Sequence, residues 1–327
     1  METNVISKRT QWLDVSRVLC MLMIVTMHFR PNDIEFISIH AWCHAGVPFY
    51  LFWAGYFCAG SHSWKKIFHR CVVLISVFIT WEILAYALGF AGDQNTSFIG
   101  IGQFLVVQTG FGKNYPYIGP LWFIRDLIFL TAFTPLIVKG RIVLIPVILG
   151  MLCYSQLNWT HEPETFLSIG TCIIYMLGCW SRPYNIMERL EQLKTKQLVA
   201  FLLITGVMIH LIVLKNAYLT GSSWSLQIWE ETVPGYIIGT MLISTCGILI
   251  MRSMPAIGKK IATAAPAMLF VLALHCPLGN AIGISHWFSG LLAYLQAPVL
   301  MGICLGTYFL LKKLIPGFDP YLSGNRN

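Results

Sequence analysis

The sequence contains very little charge. Only 11% of its 327 residues are Asp, Glu, Lys or Arg, whereas 56% are hydrophobic. A soluble globular domain carries about 25% charged residues on average. The chain also lacks any long polar stretch that could form a separate soluble domain. The composition therefore excludes a soluble globular protein and predicts an all-α, polytopic membrane protein that forms a single domain over residues 1–327.

Metal-binding patterns are missing as well. The ten cysteines show no CxxC or Cys/His ligand spacing, so they are interpreted as small buried hydrophobic residues. His40 and His44 are four positions apart, but no carboxylate or thiol stands at ligand spacing beside them. We therefore predict interfacial histidines and no metal. The net charge of +8 does not indicate nucleic-acid binding, because the positive residues flank apolar segments.

Apolar runs of membrane-spanning length are abundant. Roughly 20 apolar residues cross a bilayer as a helix. Residues 1–11 are too polar for the core of a signal peptide, so the first run is expected to be retained. The runs predict about ten transmembrane helices near residues 12–29, 42–60, 71–91, 118–138, 142–154, 165–180, 197–214, 232–251, 266–284 and 290–311.

The distribution of lysine and arginine predicts the orientation of these helices. Most of the 22 basic residues fall in alternate loops, and only Arg30, Lys113 and Lys215 fall in the intervening ones. Positive residues concentrate on the cytoplasmic side of membrane proteins. Both termini are therefore predicted to be cytoplasmic, in a multi-pass protein of the cytoplasmic (inner) membrane.

The first predicted helix carries two ionisable residues, Arg17 and His28, in the stretch DVSRVLCMLMIVTMH. Eleven helical positions return a side chain to within about 20° of its starting direction after a rise of about 16 Å. Both residues therefore face one way, and Asp14 can pair with Arg17 on that face. Ionisable groups inside a membrane usually face a bundle interior or cavity. The alternative is that each side chain reaches to the nearest lipid headgroups.

Four segments in order resemble the acyltransferase-3 family of integral membrane acyltransferases. They are the Arg-x10-His pattern of the first helix, AGVPFYLFWAGYF at 45–57, PLWFIRDLIFLTAFTPLI at 120–137 and FVLALHCPL at 270–278. The chain departs from the family at Pro120, where many members have a histidine. It also ends soon after Lys313, so the reaction is expected to be completed within the membrane domain or by a partner.

The resemblance implies transfer of an acyl group, commonly acetyl, from cytoplasmic acyl-CoA to a hydroxyl of an extracytoplasmic or lipid-linked sugar of a surface polysaccharide. Arg17 would then hold phosphate or pantetheine oxygens of acetyl-CoA. His28 would deprotonate the acceptor hydroxyl or receive the acyl group first. The rival interpretation is a transporter or flippase with proton-coupled intramembrane residues, although the sequence lacks the related halves that many transporters show.

Four further ionisable residues lie within predicted helices. Arg125 could stabilise an oxyanion with Asp126 orienting it, or the two could form a structural ion pair. Glu82 could orient His28, pair with Arg125 or hydrogen-bond to backbone. His275 is either a satisfied core histidine or a cavity residue near the acyl donor, and the resemblance leaves these two alternatives evenly balanced.

Overall fold

All regular secondary structure in the described residues is helical. The computed structural model of the chain describes residues 11–29, 43, 45–60, 63–88, 118–140, 169–220, 233–288 and 290–324. Its α-helices in chain order are α1 (Gln11–His28), α2 (Gly46–Ala59), α3 (Trp64–Ala87), α4 (Trp122–Lys139), α5 (Ile169–Ser181), α6 (Ile186–Gln192), α7 (Thr195–Thr220), α8 (Val233–Ser253), α9 (Pro255–Ala262), α10 (Met268–Ala281), α11 (Gln296–Leu314) and α12 (Asp319–Ser323). Short 3-10 turns join several of them, and these described ranges contain no β-strand.

Several of these helices are long and apolar enough to cross a bilayer. Within the described part of the chain, four stretches meet that requirement: Trp64–Ala85, Gly119–Lys139, Pro255–Ala281 and Leu292–Leu314. The helices therefore support a membrane protein. The number of ten crossings and the side of each terminus stay predictions, and the span expected at 142–154 lies outside the described residues.

Two of the differences between the helix bounds and the predicted spans involve segments that contain lysines. Helix α3 begins at Trp64 rather than at residue 71, so Lys65 and Lys66 lie in its first turn. Hydropathy identifies only the apolar part of a helix, whereas a lysine in the first turn can keep its charge in water. The second difference is α9, a helix within the segment predicted as a loop between the spans near 251 and 266.

The chain divides into two compact units. The first comprises Met1–Tyr50, Tyr184–Val271 and Leu278–Phe309, and the second comprises Leu51–Pro183, Leu272–Pro277 and Leu310–Asn327. Three helices, α2, α10 and α11, contribute residues to both units.

In the first unit, α1 packs closely against α8 and α9. The Ser16 hydroxyl donates a hydrogen bond to the Ile243 carbonyl at 3.1 Å. A Cβ atom at Gly247 would overlap the Ser16 side chain, so glycine is what lets the two helices approach. Small residues permit such close contact between membrane helices. The Trp12 indole also donates to the Glu191 carboxylate at 2.6 Å and ties α1 to α6.

In the second unit, α4 packs against both α3 and α5. The hydroxyl groups of Thr134 and Tyr175 lie 2.7 Å apart across the contact between α4 and α5. The terminal helix α12 packs on α3, where the Trp81 indole donates to the Leu322 carbonyl at 3.0 Å. The C-terminal segment is therefore part of this unit's packing.

Candidate active site

Arg17 and His28 lie on one uninterrupted helix. Helix α1 runs from Gln11 to His28, so the helical geometry that relates the two side chains applies over its whole length. Both therefore project from the same face of α1, with a rise of about 16 Å between them. His28 is the last residue of α1 and its side chain is exposed.

The Arg17 guanidinium has a carboxylate partner on the same helix. Its Nη1 lies 2.9 Å from Oδ1 of Asp14, which confirms the predicted pairing. The Arg17 side chain is 41% exposed, so part of the guanidinium remains open to other groups. The Tyr50 hydroxyl donates to the Arg17 carbonyl at 2.8 Å and fixes the helix backbone at this level. The geometry suits a cation that is held in place yet can still bind an anion.

A buried ion pair lies at the start of α4. The Nε of Arg125 is 3.1 Å from Oδ1 of Asp126, and the two side chains are 7% and 0% exposed. Buried charges persist when they are paired and hydrogen-bonded. The pair thus has the geometry expected for Asp126 to orient Arg125, and the same contact would serve a purely structural role.

Glu82 is buried on α3 and contacts backbone at the entrance to α4. One of its carboxylate oxygens accepts a hydrogen bond from the Ile118 N–H at 3.4 Å. Ile118 precedes the 3-10 turn Gly119–Leu121, which leads directly into α4. Three partners for Glu82 are compatible with the sequence: His28, Arg125 and backbone. The structure contains the hydrogen bond to backbone. Through this contact Glu82 positions the turn that carries α4 and its ion pair.

His275 is completely buried in α10 and lies beside a thiol. Its Nε2 is 3.3 Å from Sγ of Cys276, which is half-buried. The sequence interpretation treated every cysteine as a packing residue and so missed this contact. The sequence signal for this contact is that His275 and Cys276 are adjacent in FVLALHCPL.

The predicted site residues thus form local groups: Arg17 with Asp14, Arg125 with Asp126, Glu82 at the turn before α4, and His275 with a cysteine. No sequence signal pointed to Tyr50, because its hydroxyl contacts backbone on another helix. His40 and His44 lie outside the described residues.

Long apolar helices that carry buried ionisable side chains define a class of integral membrane proteins that includes enzymes and transporters. Within that class, the sequence pattern of the acyltransferase-3 family, described as an acyltransferase domain, matches residues 10–311. The chain belongs to this family and is a membrane acyltransferase. Comparison with curated proteins and with solved structures found no match.

Proposed function

We propose that the protein transfers an acyl group, with acetyl the expected one, from cytoplasmic acyl-CoA to a hydroxyl of an extracytoplasmic or lipid-linked sugar. The acceptor belongs to a surface polysaccharide or its precursor, and the enzyme works in the cytoplasmic membrane. Family membership supports acyl transfer in general. The observation that carries the finer proposal is the shared face of α1, with a guanidinium and an imidazole about 16 Å apart.

Arg17 is the proposed contact for the polar part of the donor. Acyl-CoA has phosphates at one end, a flexible arm and a thioester at the other end. A guanidinium presents several N–H donors in a fixed plane that matches phosphate oxygens. The ion pair with Asp14 orients Arg17 while leaving its side chain 41% exposed, which suits a reversible contact with an anionic ligand.

His28 is the proposed base for the acceptor hydroxyl, or alternatively the first acyl carrier. It ends α1 and is exposed, so a sugar hydroxyl can reach it. Arg125 would stabilise the negative charge of the tetrahedral intermediate, with Asp126 holding its guanidinium. Glu82 would act as a positioning residue through the turn before α4, and His275 would contact the donor.

The test uses membrane vesicles that contain the protein, acetyl-CoA labelled in the acetyl group and the cell's surface glycan precursors. Loss of a general base lowers a rate by about 10²- to 10⁴-fold, so His28→Ala should reduce glycan labelling by that factor. Arg17→Gln should raise the KM for acetyl-CoA by about tenfold or more, since a hydrogen bond to a charged group contributes about 1.5–3 kcal/mol.

Matched controls are available on exposed positions. His286→Ala and Arg189→Gln remove the same chemical groups from exposed sites and should leave labelling unchanged. Unchanged labelling in His28→Ala, together with lost uptake or flipping of a solute, would overturn the proposal in favour of the transporter. Absence of any labelled glycan in wild-type vesicles would overturn acetyl transfer to sugar.

A further inference from the structure

Two reactive side chains meet on α10. The Nε2 of His275 lies 3.3 Å from Sγ of Cys276. Consecutive residues of an α-helix point about 100° apart, so neighbouring side chains do not normally face each other. The imidazole must therefore lean across the helix surface toward the thiol. A nucleophile and a base within hydrogen-bond reach form the basic unit of covalent catalysis.

The residues that precede this dyad on α10 are apolar. Phe270, Leu272 and Ala273 are almost fully buried, and His275 has no exposed surface. The exposure of Cys276 is greater, so the thiol is the more accessible member of the pair. An intramembrane polar group of this kind usually marks a functional site.

A proline follows the thiol directly within the helix. Pro277 lies inside α10 and has no N–H, so it cannot donate to the Ala273 carbonyl one turn earlier. One backbone hydrogen bond is therefore missing from α10 beside the dyad, although the helix continues to Ala281.

We propose that Cys276 carries the acyl group as a thioester during the reaction and that His275 is its base, a proposal that rests on the proposed function. His275 takes the thiol proton, and Sγ attacks the carbonyl carbon of acyl-CoA. The bond from that carbon to the CoA sulfur breaks, and the leaving thiolate takes the proton back from the imidazolium. Acyl-CoA and the Cys276 thiol become acyl-Cys276 and free CoA, with no change of oxidation state.

In the second half of the reaction, the sugar hydroxyl is the attacking group and the Cys276 thiolate is the leaving group. The acceptor hydroxyl loses its proton to His28, its proposed base, and attacks the thioester carbon. The carbon–Sγ bond breaks, and the Cys276 thiolate recovers the proton. The products are the acylated sugar and the free enzyme. Donor and acceptor then need not be bound together, so acyl-enzyme accumulates when the acceptor is absent.

The direct experiment measures that intermediate in the wild-type protein. The purified protein is mixed with labelled acetyl-CoA without acceptor, quenched in acid and digested. We expect label on the peptide containing Cys276, removable by neutral hydroxylamine as a thioester is. Acetyl-CoA should also protect Cys276 from a maleimide reagent by about tenfold, because an acylated nucleophile is no longer a thiolate. Label confined to His28, or no label and no protection, would overturn the proposal.

Substitutions of Cys276 and His275 provide a second test of the thioester intermediate. Cys276→Ala should lower both enzyme labelling and glycan acetylation by about 10²-fold or more, the usual scale for a lost catalytic group. His275→Gln should slow labelling of Cys276 by a similar factor. The matched control is Cys246→Ala, which removes another half-buried thiol and should leave both signals unchanged.

The outcomes separate this proposal from the proposed function. Full glycan acetylation in Cys276→Ala would overturn the thioester while leaving acyl transfer to sugar intact. Wild-type protein that forms the Cys276 thioester but labels no glycan would support the thioester and overturn the sugar acceptor.

Discussion

Replacing Gly178 with alanine should destabilise the second compact unit. Gly178 lies on α5, where α2 passes so closely that an added Cβ would overlap the Phe52 carbonyl oxygen and lie 2.9 Å from the Phe52 carbonyl carbon. The approach is reciprocal, because a Cβ at Gly55 would overlap the Tyr175 carbonyl oxygen. The obstructing atoms are backbone, so they cannot turn away as a flexible side chain would. The two helices must separate to accommodate the methyl group.

The expected loss of stability in Gly178→Ala follows from two opposing effects. Overpacking a well-packed contact costs about 1–3 kcal/mol, whereas alanine gains up to about 1 kcal/mol over glycine in helix propensity. Gly306→Ala provides the matched control, because Gly306 also lies in a helix but nothing surrounds its Cβ position within 4 Å. The propensity gain cancels between the two variants. Gly178→Ala should therefore be about 1–3 kcal/mol less stable than Gly306→Ala.

The assay compares unfolding of the purified variants in detergent, by heat and by increasing denaturant. We expect Gly178→Ala to unfold at lower temperature than wild type and Gly306→Ala to match or exceed wild type. Equal midpoints for the two variants would refute the close approach of α2 and α5. A shift in Gly306→Ala of the size expected for Gly178→Ala would refute the assignment of the cost to steric overlap.

Two further predictions concern hydrogen bonds between distant parts of the second unit. Trp81→Phe removes the donor to the buried Leu322 carbonyl, which should cost about 1–3 kcal/mol and speed proteolysis and hydrogen exchange in α12. Glu82→Gln keeps an oxygen for the Ile118 N–H, so folding and acyl transfer should persist. Glu82→Leu leaves that N–H without this acceptor and should cost about 1–3 kcal/mol of stability.

Each of these two predictions has a control variant: Trp64→Phe for Trp81→Phe, and Glu82→Gln for Glu82→Leu. Trp64→Phe alters an exposed tryptophan at the start of the same helix and should leave α12 as protected as in wild type. Equal exchange of α12 in Trp81→Phe and wild type would contradict the docking contact. Inactivity of a well-folded Glu82→Gln would show that the carboxylate charge takes part in the reaction, contrary to a positioning role.

Local sequence patterns predicted much of the fold and part of the candidate site. The helix that joins Arg17 to His28 and the pairing of Arg17 with Asp14 both follow from helical periodicity. Family membership was also accessible, because its motifs are short and ordered along the chain. The start of α3 was placed too late, since lysines in a first turn lower hydropathy without ending a helix.

The sequence alone determined that this chain is helical, belongs in a membrane and carries an acyltransferase pattern, because hydrophobic length, charge content and motif order are local properties. Only the tertiary structure decided that Glu82 accepts from the Ile118 N–H, that Gly178 meets the Phe52 backbone and that the His275 imidazole lies against a thiol. Those contacts depend on how helices pack and on which rotamers the packing allows, and neither is encoded in any single stretch of residues.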